Sequence, residues 1–133
     1  MPNPLDFDFI SPADKLEMKG KNWHIENPRA VMLLVYGYGE HCGRYHHAAD
    51  FFNQQQLAFI SFDIHGHGLS SGELDYTRHV NDLFDDLEYM VEKIHHAFHP
   101  DVPLIIYGHV TGSALCFVHL IRRPQPGSQA MIL

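Results

Sequence analysis

The sequence predicts an α/β fold: about six strands in a mostly parallel sheet, with helices on both faces. Three observations carry this prediction. Apolar runs of strand length alternate with helical patterns along most of the chain. Residues 30–36 are continuously apolar and residues 57–62 nearly so, as suits strands covered on both faces. Glycine-containing corners follow three of these runs, where right-handed crossovers to helices would begin.

The elements follow in order. Residues 6–10 alternate acidic and apolar side chains, and Ser11-Pro12-Ala13-Asp14 is turn chemistry. Residues 15–25 alternate more loosely around Gly20, with Leu16, Met18, Trp23 and Ile25 as the apolar members. Together they read as an antiparallel opening hairpin, partly solvent-facing. Glu26-Asn27-Pro28 breaks it before the 30–36 strand. Gly37-Tyr38-Gly39 ends that strand, and Gly43-Arg44 leads into a helix through about Gln56, with Tyr45, Ala48, Ala49 and Phe52 as its buried stripe. The strand at 57–62 is closed by Asp63 and followed by a glycine-rich loop from His65 to Gly72.

Residues 79–98 carry the clearest periodicity. Val80, Leu83, Phe84, Leu87, Met90, Val91, Ile94 and Phe98 form one apolar face. Asn81, Asp82, Asp85, Asp86, Glu88, Glu92 and Lys93 occupy the other, which reads as a solvated face. Pro100 and Pro103 bracket a loop, and Val102 to Tyr107 is the next strand. The turn Gly108-His109-Val110-Thr111-Gly112 leads into a helix from Ser113 to about Ile121. A proline-rich breaker follows, and residues 130–133 begin another apolar strand. No internal repeat interrupts this plan, so residues 1–133 read as one domain.

Composition narrows the function. Hydrophobic residues are 45% and charged residues 19% of the 133, ordinary globular values. A formal net charge of −7 without a Lys/Arg cluster excludes a nucleic-acid surface. No apolar run approaches the roughly 20 residues that cross a bilayer, so membrane contact would be peripheral at most. The first residues carry neither a basic nor an apolar signal region, and two cysteines are too few for a disulfide framework. A cytoplasmic location is the expectation. Twelve histidines invite a metal reading. His65-x-His67, His46-His47, and His95 with His99 at helical spacing each offer two ligands, but none has a third nearby, so no metal site is expected.

A strand, a glycine-bracketed corner and a helix around Gly108-His109-Val110-Thr111-Gly112 match the layout of a nucleophile elbow, G-x-S-x-G. The central position is Val110, which has no nucleophilic atom. A dinucleotide site is discounted: Gly37-x-Gly39 follows a strand, but Cys42 stands where the third glycine of that fingerprint belongs.

Three ordered motifs then carry a resemblance. Gly39-Glu40-His41-x-Gly43-Arg44-Tyr45, Asp63-x-x-Gly66-His67-Gly68-x-Ser70-x-Gly72 and the elbow resemble the monoacylglycerol lipase and lysophospholipase branch of the α/β-hydrolases, also described as serine aminopeptidase-like. The resemblance covers residues 9–133 and implies the N-terminal half of that fold, without its lid and C-terminal strands. It implies an ester hydrolase of monoglycerides or related lipids that uses a Ser-His-Asp triad and no cofactor. It puts Val110 at the nucleophile position, Gly108, His109 and Gly112 in the elbow, and the backbone N–H groups of Tyr38 and Thr111 in the oxyanion hole. The triad acid and base would lie beyond the strand that begins at Ala130.

Three functional expectations follow. The leading one is a truncated, hydrolase-like protein, incompetent in catalysis: a fragment, a degenerate gene product or a pseudoenzyme. The second is a module that binds an acyl ligand or a partner, and the third an ester hydrolase completed by further sequence. Val110 is expected either to relax the elbow or to store strain of about 1–3 kcal/mol, because nucleophile elbows hold a positive φ. The last strand is expected to leave an open, apolar edge that favours self-association.

Overall fold

The computed structural model describes residues 3–37, 40–64, 66–72, 79–123 and 130–132. Its elements are β1 (Leu5–Ile10), β2 (Glu17–Trp23), β3 (Ala30–Val35), α1 (His46–Gln54), β4 (Leu57–Phe62), α2 (Val80–Ala97), β5 (Leu104–Gly108), α3 (Thr111–Arg122) and β6 (Ala130–Ile132). A short 3₁₀ turn, Cys42–Tyr45, leads into α1. The six strands form one sheet in the order β1-β2-β4-β3-β5-β6. β1, β2 and β4 pair antiparallel, whereas the β4-β3, β3-β5 and β5-β6 pairs are parallel. This is the mostly parallel α/β sheet that the alternation of elements predicts.

β3 is the centre of the sheet, bonded on both sides, and every residue from Ala30 to Val35 is buried. Its unbroken apolar run is the consequence of having helices over both faces. On one face, Phe52 of α1 stacks on Phe59 at 5.7 Å and meets Tyr107 edge-on at 6.3 Å. On the other lie α2 and α3, where Leu83, Leu87, Met90 and Ile94 join the core. Phe9 of β1 closes that side by stacking on Tyr89 of α2 at 5.1 Å.

Two expectations need correction. The acidic side of α2 is not uniformly solvated: Asp82 and Asp86 are buried. Asp86 accepts a 2.7 Å hydrogen bond from Ser11 Oγ, which ties the opening hairpin's turn to the helix. The helix is therefore covered over a wider arc than its apolar stripe indicates, and Val80, at its exposed start, is the stripe residue left 40% accessible. α3 also begins two residues before the predicted Ser113, because Val110 already serves as its N-cap.

Candidate active site

The elbow is built by strand pairing and tightened by close packing. β5 ends at Gly108, opposite Val35 of β3, and His109 N–H extends the ladder with a 3.0 Å bond to the Val35 carbonyl. The chain then reverses at once. Gly112 N–H bonds the His109 carbonyl at 2.9 Å and Ser113 N–H the Val110 carbonyl at 3.0 Å, so α3 starts inside the turn. A Cβ on Gly112 would be driven into the Val35 carbonyl, so only glycine lets α3 pack this close to the sheet.

Val110 sits at the apex with φ 55° and ψ −118°. L-residues rarely adopt this conformation, and a β-branched side chain is among the least suited to it. Of the two outcomes open for Val110, the elbow keeps its strained geometry. The side chain is 67% exposed, so burial does little to offset the strain. The apex thus has the form that presents a nucleophile while holding two methyl groups.

Beside the apex, the Thr111 N–H meets no acceptor among the described residues. A Cβ on Gly37 would lie 3.3 Å from that nitrogen and 3.3 Å from Val110 Cβ, so the missing side chain leaves space in front of the N–H. Such a donor at a helix start favours a carbonyl oxygen or an anion. Tyr38, the other expected backbone donor, lies outside the described residues.

Glu40 ties three elements of this region together. It accepts hydrogen bonds from Tyr45 Oη at 2.7 Å and Gly37 N–H at 3.2 Å, and His109 Nδ1 lies 3.5 Å away. Burial alone would raise its pKa, but these contacts outweigh it and hold the carboxyl below its ordinary 4.5. Tyr45 Oη also lies 3.4 Å from His109 Nδ1. His109 is thereby turned toward α1 and engaged with Glu40. The sequence places Glu40 and Tyr45 in one motif, marks Tyr45 only as part of a helix's buried stripe and gives Glu40 no role. Their spacing at the start of a helix was the available signal.

A second carboxylate, Asp63, buttresses the neighbouring loop, as its position after β4 suggests. It is buried and accepts from Tyr36 Oη at 3.0 Å, Cys42 N–H at 2.8 Å and Leu69 N–H at 3.0 Å. Tyr36 Oη in turn accepts from Ile64 N–H at 2.9 Å. Burial pushes the Tyr36 phenol well above its ordinary 10.0, so it stays a donor. Cys42 and Cys116 are buried free thiols; burial raises both, Cys116 to about 12. Among the described residues no three His, Cys, Asp or Glu side chains are grouped to hold a metal. His46 Nδ1 instead accepts from Trp23 Nε1 at 3.1 Å, and His65 lies outside the described residues.

An apolar cleft of about 250 Å³ opens beside the elbow, walled by Tyr36, Ile64, Leu83, Phe84, Thr111 and Leu115. No helix among the described residues is long and apolar enough to cross a membrane.

Residues 26–133 match the family model described as "Serine aminopeptidase, S33". The chain belongs to this family. Among curated proteins it is 37% identical over 107 residues to a monoacylglycerol lipase of Mycolicibacterium smegmatis, covering 80% of this chain and 38% of that relative. It is 31% identical over 101 residues to the monoglyceride lipase of Rattus norvegicus, covering 73% of this chain and 32% of the relative. Two solved structures have the same fold. A thermostable carboxyl esterase from Bacillus coagulans superposes with a TM-score of 0.82 at 22% identity, over 98% of this chain and 44% of that one. A soluble variant of the monoglyceride lipase from Saccharomyces cerevisiae gives 0.75 at 24% identity, over 92% and 40%. The chain thus spans well under half the length of these relatives, and its six-stranded sheet corresponds to a truncated α/β-hydrolase fold.

Proposed function

We propose that this chain is a non-catalytic member of the monoacylglycerol lipase-like group that keeps the means to engage an acyl group but not to cleave it. One observation carries the reading: an elbow in nucleophile geometry whose apex residue is Val110. Covalent ester hydrolysis needs a lone pair at that apex to form the acyl-enzyme bond. The valine side chain offers only C–H bonds. Thr111 and Ser113 carry the nearest hydroxyls in sequence, and both belong to the first turn of α3 and not to the apex itself.

A second observation favours acyl binding over a purely vestigial site. Among the described residues Thr111 N–H meets no acceptor beside Gly37, and the apolar cleft adjoins it. A carbonyl oxygen on that N–H with its chain in the cleft is the complex this reading implies, joined by Tyr38 N–H if the family's pattern holds. Self-association is part of the same proposal. Among the described residues β6 is an edge strand paired with β5, and Phe117, Leu120 and Ile121 of α3 are 52%, 47% and 63% exposed. The three fall on one side of the helix at i, i+3 and i+4.

Two assays test the proposal. Incubation with a short-chain p-nitrophenyl ester should give no turnover above the uncatalysed rate. Titration with a monoacylglycerol should raise the melting temperature. Turnover by the unaltered chain would overturn the first half, and no thermal shift at saturating ligand the second.

A further inference from the structure

A second cleft, away from the elbow, is lined by Leu5, Phe7, Ile60, Met90, Ile94 and Phe98 and encloses about 310 Å³. It lies between the β1–β2 hairpin and the last third of α2. The residues of α2 that line the elbow-side cleft end at Phe84, so Ile94 stands about 15 Å further along the helix axis. The two clefts share no lining residue.

The mouth of this second cleft carries a cation. Lys93 Nζ lies 5.8 Å from the centre of the Phe7 ring and 5.9 Å from that of Tyr89, held over two aromatic faces. No carboxylate pairs with it among the described residues, although acidic side chains are close in sequence and space. Asp6, which also lines the cleft, is taken by Lys21 at 2.8 Å; Asp8 is taken by Lys19 at 3.3 Å; and Glu92 lies 4.0 Å from His96. In a chain of net charge −7, this ammonium is therefore a local positive site above an apolar hollow. The hollow remains open: Leu5 at its rim is 63% exposed. On its inner wall, Asn22 Oδ1 meets no donor among the described residues, so the protein alone does not satisfy this wall.

We propose that this cleft binds a single-chain amphiphile with a carboxylate head, the alkyl tail lying between Phe7, Ile60, Met90 and Ile94 and the head pairing with Lys93. The opposed features decide the class. An uncharged chain would leave the ammonium unused, a cationic head would be repelled by it, and a bulky polyanion would meet the negative surface around it. Each methylene buried in the cleft tightens binding about fourfold. This site is independent of the reading of Val110.

The test is calorimetric titration of the chain with laurate below its micelle concentration, beside dodecanol and dodecyltrimethylammonium. Laurate should fill this cleft one to one, about tenfold or more tighter than dodecanol, and dodecyltrimethylammonium should not enter it. Two surface substitutions at the rim keep the test clear of folding effects. Lys93→Glu should weaken laurate about tenfold or more, and Ala97→Trp, which fills the mouth, should abolish binding. Leu115→Trp, which fills the elbow-side cleft, should leave the Lys93-dependent binding of laurate in place. Laurate that fails to bind, binds Lys93→Glu and Ala97→Trp as well as the parent, or is lost in Leu115→Trp would overturn the proposal.

Discussion

Replacing Val110 by glycine and by alanine should invert the usual order of those two residues. Glycine is ordinarily less stabilising than alanine by about 0.5–1 kcal/mol, because its unfolded chain has more freedom to lose. At φ 55° and ψ −118° the balance shifts. Any Cβ at this conformation costs about 1–3 kcal/mol, which alanine still bears and glycine does not. The side chain is 67% exposed, so both variants lose only a small part of the burial free energy of a valine. Setting the strain against the entropy leaves the glycine variant more stable than the alanine variant by about 0.5–2 kcal/mol. For a chain of 133 residues this is a melting-temperature gap of about 2–7 °C, readable by calorimetry at one scan rate. An alanine variant that melts at or above the glycine variant would refute the claim that the elbow holds valine under strain.

Three further outcomes follow from the same geometry. Gly112→Ala should destabilise the chain by at least about 3 kcal/mol in urea titration, because the new methyl meets the Val35 carbonyl and backbone cannot yield as a side chain does. Glu40→Gln should lower stability near neutral pH by about 1–2 kcal/mol. Because the folded carboxyl is held below 4.5, that contribution is present above the unfolded value and lost as pH falls through the folded one, so parent and variant should converge in acid. Burial raises the thiols of Cys42 and Cys116 above their ordinary 9.0, so the unfolded chain ionises first. Stability should therefore decline as pH rises past 9.0 toward about 12, and a Cys116→Ser variant should show a shallower decline. An unchanged slope would rule out Cys116 as a source.

Much of this molecule is legible in its residues. The continuous apolar run of β3 indicates a strand covered on both faces, and the order of glycine corners locates the sheet's C-terminal end. The elbow can be read because Gly108 and Gly112 are demanded by close packing. What cannot be read is the tertiary use of polar side chains. Asp86 looks like a member of a solvated face until Ser11, 75 residues earlier, donates to it. Glu40 looks like a loop carboxylate until Gly37, Tyr45 and His109 converge on it. Periodicity reports which face a residue occupies on its own element; it holds no information on which distant donor arrives there. Val110 lies at the same limit. The sequence allows either a relaxed turn or a strained one, and the structure holds the second, with Gly112 packed against Val35.

The central claim concerns the apex of the elbow, and covalent trapping addresses it most directly. The unaltered chain is treated with an excess of a fluorophosphonate, and its intact mass is followed by peptide mapping. The account predicts no phosphonyl adduct anywhere in the Gly108–Ser113 peptide. A stoichiometric adduct on Thr111 or Ser113 would contradict it, since the chain would then hold a nucleophile that Val110 merely conceals.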